Sequence, residues 1–438
     1  MRAAYIAAGA AGMICGSCLH DNALAAALIR KGHDVTLIPT YTPIRTDEVD
    51  VSSGPVFYGA LNVYLEQKSG LFRSTSLFDK LLSHKSLLNF VSKLGASRDP
   101  AELGDLTLSV LEGEHGKQAK ELEKLVRWLR DDLKPEIVHI TNSMLLGLAH
   151  RIREELGVPV LCSVQGEDIF FEQLAEPYRT RVHEALQRKA RDVDGLIATS
   201  RYYADYMRGV LDVPAERMHT VGLGIALEDH GAEPREPDGR YVIGYLARQC
   251  PEKGLHLLID AFAQLVRQGA EDAYLEVAGY IDARNEPYVA ELRRKVEQAG
   301  LARRVTFHGE VDRRQKLDLL RRIDVLSVPT VYREPKGLFV LEALANGVPL
   351  VLPRHGSFPE ILEHTGGGLL VEPESVEAVT QGLEALRRDP EGRRSMGVAG
   401  RRVVREHYND DVMAEETLKI YRAYVDNAVS GDGSRQVG

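Results

Sequence analysis

The segment YVIGYLARQCPEKGLHLLIDAF, residues 241–262, indicates the fold of this chain. It begins with a short apolar run, 241–247, that is typical of a buried strand. After a loop that ends at Gly254, apolar residues recur at helical spacing: Leu258, Ala261, Phe262 and Leu265. A second apolar run, AYLEVAG, occupies residues 273–279. The segment is therefore a βαβ unit, and buried strands that alternate with helices are typical of a parallel sheet.

The same order of elements occurs at the start of the chain. A short strand at 3–8 leads into a glycine-containing loop at 9–17, followed by a helix at 20–32 and a strand at 34–39. Further strands are predicted at 136–141, 158–164, 195–200, 304–309, 323–329 and 348–353. We therefore predict an α/β protein with two doubly wound, Rossmann-like domains that face a cleft. Ligands of such sheets bind at the carboxyl ends of the strands, where the glycine-containing loops are.

The domain boundaries follow from length and composition. A chain of 438 residues is too long for one ordinary core, so two large domains are expected. We place the first at 1–223, with an insertion at about 41–115, and the second at 241–408. Residues 224–240 are rich in Pro, Gly and Glu and lack periodicity, which predicts a linker. The last helix, 409–429, carries an apolar stripe and is expected to pack back on the first domain.

Composition narrows the classes of function. The formal net charge of −9 argues against general nucleic-acid binding. No apolar run is long enough to span a bilayer, and the apolar start of the chain is too short for a secretory signal. Four cysteines require no disulfide scaffold, so a reducing cytoplasm is the expected location.

One segment departs from this acidic composition. Residues 68–94 are locally basic and contain several apolar residues. This pattern predicts a peripheral contact with a membrane surface, where a phosphorylated or lipid-linked acceptor would be bound. The apolar residues form no single stripe, so packing on the first domain is the alternative.

Two glutamates in the second domain occupy unusual settings. Glu334 lies in a loop, whereas Glu342 lies in an apolar helix, where a carboxylate is costly unless something pairs with it. A helix that starts near Gly337 offers the free N–H groups of Leu338 and Phe339 to a diphosphate. Glu342, one turn further, suits two adjacent hydroxyls such as those of a ribose, and Glu334 suits hydroxyls beyond the phosphates. The alternative is that both are solvated surface acids.

Two cations are candidates for balancing the charge of such a diphosphate. Arg248 and Lys253 lie in one loop, between the strand at 241 and the helix after 254. Arginine binds phosphate as a fork and lysine as a point charge. No Asp-x-Asp flanks these loops, so we predict no metal at the site. The alternative for either side chain is an exposed loop cation.

These motifs resemble those of the family 4 retaining glycosyltransferases, which have the GT-B fold. The stretch REPKGLFVLEALANGVPLV, residues 333–351, is similar to the E-x7-E signature of that family. The stretch ARQCPEKGLHLLIDAF, residues 247–262, is similar to its phosphate-binding segment. CGSCLHDNALAAALIRKGHDVTLI, residues 15–38, resembles its first glycine loop and helix. The resemblance covers nearly the whole chain.

The resemblance implies a hexosyltransferase that uses a UDP-, GDP- or ADP-sugar and needs neither a cofactor nor a metal. The acceptor is left open as a sugar, a lipid-linked molecule or another small molecule. By the same resemblance Glu342 holds the ribose, Glu334 the donor sugar, and Arg248 and Lys253 the pyrophosphate. Gly16 lets the backbone of the first domain approach the phosphates. Arg248, Lys253 and Glu334 are accordingly the candidates for catalysis.

Among the departures from the pattern of the family, two bear directly on the site, and a nearby acid is a further candidate. Gln165 stands where many members have a histidine, which argues against a catalytic histidine. Lys336 replaces an aromatic residue and is predicted to be an exposed cation rather than a third phosphate ligand. Asp168 either contacts donor or acceptor or caps a helix.

Other residues and functions stay open as alternatives. Cys15 and Cys18 form a Cys-x-x-Cys, which is either redox-active or a pair of small residues at a glycine loop. His139, in a predicted strand, is interpreted as a core histidine with satisfied hydrogen bonds. The alternative functions are a nucleotide-sugar epimerase or hydrolase of the GT-B fold and a non-catalytic nucleotide-sugar-binding protein. A phosphorylase would need a lysine that carries pyridoxal phosphate, and the sequence has no motif for one.

Overall fold

A computed structural model describes residues 1–9, 16–52, 57, 100–231 and 238–432. The chain divides into two compact units. Unit 1 comprises residues 1–222 and the chain from 411 onward, and unit 2 comprises residues 223–410. The described part of the chain has no helix that is long and apolar enough to cross a membrane.

Unit 1 is built on a six-stranded parallel sheet with the strand order β2-β1-β3-β4-β5-β6. The strands are β1 (Arg2–Ala8), β2 (Asp34–Thr40), β3 (Ile137–Ile140), β4 (Val160–Val164), β5 (Gly195–Ala198) and β6 (Met218–Thr220). Its described α-helices, apart from the last helix of the chain, are α1 (Gly16–Arg30), α2 (Pro100–Leu111), α3 (Ala119–Trp128), α4 (Ala149–Leu156), α5 (Asp168–Phe171), α6 (Tyr178–Lys189) and α7 (Arg201–Leu211). Strands β3, β4 and β5 are buried throughout, as expected for a sheet covered on both faces.

Unit 2 repeats the architecture, with the strand order β12-β11-β10-β7-β8-β9 and parallel pairing throughout. The strands are β7 (Tyr241–Leu246), β8 (Ala273–Ala278), β9 (Val305–Gly309), β10 (Val325–Ser327), β11 (Leu350–Pro353) and β12 (Gly368–Val371). Its α-helices are α8 (Leu255–Arg267), α9 (Glu286–Gln298), α10 (Arg313–Arg322), α11 (Leu338–Ala345), α12 (Phe358–Thr365), α13 (Val376–Arg388) and α14 (Pro390–His407). Each unit therefore has the doubly wound α/β architecture that the sequence predicts.

The last helix, α15 (Asp410–Asp432), belongs to unit 1 from Asp411 onward. Its residues Met413, Leu418 and Tyr421 are buried in one cluster with strand residues such as Tyr5. Tyr421 also bonds a strand side chain, because its hydroxyl lies 2.6 Å from Nδ1 of His139. The helix thus continues the core of the unit that begins the chain.

Three details differ from the sequence prediction. Strands β6 and β12, both at sheet edges, were not predicted. The described residues of the predicted linker, 224–231 and 238–240, are part of unit 2, where Ile225 forms a parallel bridge with Asn409. Within the predicted insertion, Leu108, Val110 and Leu111 of α2 contribute to the core of unit 1.

Candidate functional site

The predicted site residues of the second domain lie at the topological switch point of its sheet. The chain extends the sheet from β7 through β8 to β9 in one direction and from β10 through β11 to β12 in the other. The loops after β7 and β10, residues 247–254 and 328–337, therefore leave the carboxyl ends of adjacent strands. Ligands of doubly wound sheets bind in the crevice at this point.

These two loops touch each other closely. Gly254 has a φ of +69°, and a Cβ built on it would lie 1.8 Å from the carbonyl oxygen of Pro329. The amide of Val331 donates to the carbonyl oxygen of Glu252 at 2.9 Å. Only a residue without a side chain fits at position 254, so the glycine is required by both the φ angle and the close approach.

A buried ion pair joins the same loops. Nζ of Lys253 lies 2.5 Å from Oε2 of Glu334, and their side chains are 12% and 5% exposed. Lys253 also donates to the hydroxyl of Tyr332 at 2.7 Å, and that hydroxyl donates to Oε2 of Glu334. Two longer bonds, from the amides of Lys336 and Gly337, reach Oε1 of Glu334.

The electrostatics of this cluster keep Glu334 ionised. Burial alone would raise the pKa of Glu334, but the adjacent Lys253 ammonium and the hydrogen bonds from Lys253 and Tyr332 together lower it below its usual value. Burial, followed by the charge of Glu334, raises the pKa of Tyr332 well above its usual value. Tyr332 is therefore a neutral donor to an ionised carboxylate.

A third loop, which follows β11, is attached to the loop that carries Glu334. Gly356 has a φ of +60°, and a Cβ on it would lie 2.4 Å from the carbonyl oxygen of Glu334. The Ser357 amide donates to the same oxygen at 2.8 Å, and its hydroxyl donates to the carbonyl of Lys336 at 3.1 Å. Lys336 is 8% exposed, so the prediction of an exposed cation at this position is wrong. Attachment to this third loop buries the segment that contains it.

Glu342 has a partner that explains its apolar surroundings. It lies on α11, which begins after Gly337, a residue with a φ of +82°. Oε1 of Glu342 lies 2.6 Å from Nζ of Lys316 on α10, and the two side chains are 12% and 8% exposed. Since Glu334 is paired as well, the alternative that the two glutamates are solvated surface acids is wrong.

The other residues that the sequence predicts for the site are in part exposed, in part next to the ion pair, and in part outside the described residues. Arg248 is exposed, and its side chain forms no hydrogen bond or ion pair within the residues that the structure describes. The Phe339 ring lies 5.8 Å from Nζ of Lys253, so the start of α11 borders the ion pair. Gly16 begins α1 in unit 1, but most of its loop, including Cys15, lies outside the described residues. Residues 68–94 also lie outside them, so the predicted membrane contact stays a prediction.

Three buried polar atoms at the strand ends of unit 2 have no hydrogen-bond partner among the described residues. They are Oε1 of Gln249, Oγ1 of Thr330 and Nδ1 of His355. The Nε2 atom of His355 lies 2.9 Å from the Thr330 carbonyl, which can only accept, so Nε2 carries the proton. Burial lowers the pKa of His355, which favours this neutral form. Unpartnered buried polar atoms are unfavourable, and water or a ligand would satisfy them.

His139, Gln165 and Asp168 of unit 1 each form hydrogen bonds with other side chains of that unit. His139 is 1% exposed and its two ring nitrogens contact Tyr421 and Ser163, as expected of a core histidine. Nε2 of Gln165 donates to Oδ1 of Asp21 at 2.8 Å. Asp168 is the first residue of α5 and accepts from the Tyr203 hydroxyl at 2.7 Å. Burial raises the pKa of Asp168.

Two residues of the site were missed in the sequence. Lys316 had a recognisable signal, because it occupies the apolar face of α10 at helical spacing with Leu319, Leu320 and Ile323. A lysine on such a face is costly to bury and predicts an acidic partner. Tyr332 had no such signal, since a tyrosine in a loop after a strand is common.

Comparison with known proteins identifies the family. Residues 22–224 match the glycosyl transferase 4-like domain, and residues 228–403 match the glycosyl transferases group 1. Together the two matches cover most of the chain, which belongs to the group 1 glycosyltransferases.

Individual relatives agree with this assignment. The Bacillus subtilis glycosyltransferase YqgM is 25% identical over 299 residues, which cover 67% of this chain and 79% of that protein. A GDP-mannose-dependent α-(1-6)-phosphatidylinositol monomannoside mannosyltransferase of Mycolicibacterium smegmatis is 30% identical over 232 residues. This second match covers 50% of the chain and 59% of the mannosyltransferase, less than two thirds of its length.

Solved structures show the same fold. Sucrose-phosphate synthase from Thermosynechococcus elongatus matches with a TM-score of 0.69 at 19% identity, over 97% of this chain and 99% of that one. Anabaena HepE in complex with UDP matches with a TM-score of 0.69 at 16% identity, over 97% and 100% of the two chains. The predicted two-domain GT-B fold is thereby confirmed.

Proposed function

We propose that this protein transfers a sugar from a nucleoside-diphosphate sugar to an acceptor hydroxyl, with retention of configuration and without a metal ion. The observation that carries the proposal is the position of Arg248 and Lys253 in the loop at the switch point of unit 2, where Lys253 lies beside the start of α11. A GDP-mannose-dependent relative and a protein of the same fold that was solved with UDP support the donor class.

The diphosphate has three sources of compensating charge at this place. A lysine ammonium has three N–H donors, and Lys253 uses two of them on Glu334 and Tyr332, which leaves one for a ligand. The guanidinium of Arg248 is exposed and has no hydrogen bond or ion pair with the described residues. The N–H groups of Leu338 and Phe339 lie in the first turn of α11, where no intrahelical acceptor exists. An anion at a helix start also gains from the helix dipole.

The pairing of Glu334 suggests how this residue contributes. Its Oε2 already accepts from Lys253 and Tyr332, whereas from the described residues Oε1 accepts only the two long amide bonds of 3.4 and 3.3 Å. Long hydrogen bonds are weak, so Oε1 retains capacity for a sugar hydroxyl. Glu334 therefore serves two tasks in this proposal: it fixes the Lys253 ammonium and offers one oxygen to the donor sugar.

The reaction then requires little from the protein beyond charge stabilisation. The bond between the anomeric carbon and the diphosphate oxygen breaks as the acceptor oxygen bonds to that carbon from the same face. The acceptor proton passes to the departing phosphate, so no protein nucleophile is needed. Lys253, Arg248 and the start of α11 stabilise the negative charge that develops on the diphosphate, which is commonly the largest catalytic term.

A donor-cleavage experiment distinguishes this function from its alternatives. UDP-, GDP- and ADP-sugars are each incubated with the protein, alone and with acceptors, and products are followed by proton NMR. Free sugars and phosphatidylinositol-containing lipid serve as acceptors. The lipid is included because one relative of this chain is a phosphatidylinositol monomannoside mannosyltransferase. We expect acceptor-dependent transfer with the anomeric configuration of the donor. Isomerised or hydrolysed donor without acceptor would instead favour the epimerase or hydrolase, and an inverted product would contradict retention.

A further inference from the structure

The helix that carries Lys316, the lysine of the ion pair with Glu342, is capped at its start and packed against the core. Lys316 lies in the first turns of α10, whose start is fixed by a capping box. Oδ1 of Asp312 accepts from the Gln315 amide at 2.8 Å, and Oε1 of Gln315 accepts from the Asp312 amide at 3.0 Å. Residues on the inner face of α10 are buried in the core of unit 2. The Lys316 ammonium therefore contacts Glu342 from a helix whose start is capped and whose inner face is buried.

The two oxygens of the Glu342 carboxylate have different surroundings. Oε1 lies 2.6 Å from Nζ of Lys316, whereas no described residue donates a hydrogen bond to Oε2. The side chain of Glu342 is 12% exposed, so the carboxylate is largely buried but can still be reached. Its backbone is fixed too, because the Glu342 carbonyl accepts from Nδ2 of Asn346 at 2.8 Å. One oxygen is therefore held in place and the other is available.

We propose that Lys316 is a positioning residue that orients the Glu342 carboxylate toward the ribose hydroxyls of the nucleotide. This inference rests on the proposed function, because it assumes that a nucleoside diphosphate binds at unit 2. A carboxylate that is already fixed loses less conformational freedom on binding than one that rotates freely. The adjacent ammonium also compensates the charge of the largely buried carboxylate, whose second oxygen is an acceptor for hydroxyl donors.

The competing explanation is that the pair only holds α10 against α11. The two explanations predict different effects of Lys316 variants on the affinities of ligands with and without an intact ribose. A purely structural pair influences the binding of every nucleotide equally, whether or not the ribose is intact. A positioning residue influences only the part of the affinity that depends on the 2′- and 3′-hydroxyls.

The test measures discrimination between ribose and deoxyribose by calorimetric titration. UDP, GDP and ADP are titrated first, and the one that binds best is compared with its 2′-deoxy and 3′-deoxy forms. We expect wild type to prefer the intact ribose by about tenfold, the scale of one lost hydrogen bond to a buried charged group. Glu342→Gln and Lys316→Met should each remove most of that preference. The double variant should show the same residual preference for the intact ribose as Glu342→Gln alone. Lys316→Arg, which keeps the positive charge, should retain more of the wild-type preference for the intact ribose than Lys316→Met.

The control is Lys295→Met, which breaks another lysine–carboxylate pair of unit 2, 2.5 Å from Asp260. It should leave the ribose preference unchanged. If Lys316→Met does not fold, Lys316→Gln replaces it, since its uncharged amide is only one atom shorter than lysine and is more readily accommodated beside a carboxylate than a thioether. A folded Lys316→Met or Lys316→Gln variant with the wild-type preference for the intact ribose would overturn the inference while leaving the proposed function intact. If wild type binds none of the three diphosphates, the proposed function fails and the inference falls with it.

Discussion

The Lys253 ammonium and the Glu334 carboxylate lie 2.5 Å apart and are both largely buried, although they belong to loops that follow different strands. This pair fixes the geometry of the switch point in unit 2. It places one cation beside the start of α11 and leaves that cation one free donor. The arrangement of the candidate site therefore depends on a contact between distant segments of the sequence.

Breaking this pair from one side should destabilise the protein. Lys253→Met leaves the buried Glu334 carboxylate without its cation, and such a change costs about 3–5 kcal/mol. The double variant with Glu334→Gln removes the buried charge and should recover much of the loss. Denaturant unfolding of the wild type and the variants measures both effects. Equal stability of Lys253→Met and wild type would show that the pair contributes nothing.

Arg248 should affect activity without affecting stability. Its side chain is exposed, so Arg248→Ala is expected to leave the melting temperature unchanged. Loss of one preorganised charge-stabilising donor should lower the transfer rate by about a hundredfold or more. The matched control is Arg240→Ala, an exposed arginine paired with Asp238 immediately before β7, at the opposite end of that strand. Equal initial rates for the two variants would remove Arg248 from the diphosphate site.

Gly254→Ala should destabilise the protein more than Gly300→Ala. The two glycines have nearly the same φ, +69° and +71°, but a Cβ at position 300 meets nothing within 4 Å. Both substitutions incur the left-handed backbone strain of about 1–2 kcal/mol. Only Gly254→Ala also forces the loops after β7 and β10 apart, which adds about 1–3 kcal/mol. The difference between the unfolding free energies of the two variants measures the contribution of the close contact between the loops. Equal losses in the two variants would argue against such a contribution.

Acid should destabilise unit 1 through His139. Burial lowers the pKa of His139 from its usual value of 6.5 to about 3, so the unfolded chain binds a proton that the folded chain excludes. Stability is therefore complete above pH 6.5 and falls as the pH drops toward 3. Between pH 6.5 and 4.5 the loss is about 2 kcal/mol, because the slope reaches about 1.36 kcal/mol per pH unit only well below pH 6.5.

The variant His139→Gln should flatten this pH dependence, because it cannot take up the proton. His115→Gln, which replaces a side chain that is 75% exposed, serves as the control. Thermal unfolding is followed from pH 7 to pH 4.5 for all three proteins. A slope in His139→Gln equal to that of wild type would show that other groups control acid stability.

The sequence predicted the repeated βαβ architecture because apolar runs and helical spacing are local signals. It did not predict β6 and β12, which are short edge strands. β6 spans only Met218–Thr220, and the four residues of β12 are half-buried, so neither shows the continuous apolar run of an inner strand. Element boundaries also shifted, as at α1, which begins at Gly16 rather than at 20.

The candidate site was predicted in its residues but not in its pairings. Glu334, Glu342 and Lys253 were recognised by type and spacing, whereas their partners depend on tertiary contacts. Lys316 lies 26 positions before Glu342, and Lys253 lies 81 positions before Glu334. No local pattern encodes such distances, although a lysine on an apolar helix face indicates that a partner exists.

The most direct test of the account is calorimetric titration of UDP, GDP and ADP into the protein, with EDTA and with magnesium. We predict that at least one diphosphate binds, with the same affinity in both buffers, because Arg248, Lys253 and the start of α11 supply the charge that a metal would supply. Glu342→Gln should weaken that binding by about 1–3 kcal/mol. Absence of binding to all three, or binding that disappears in EDTA and returns with magnesium, would contradict the proposed diphosphate site.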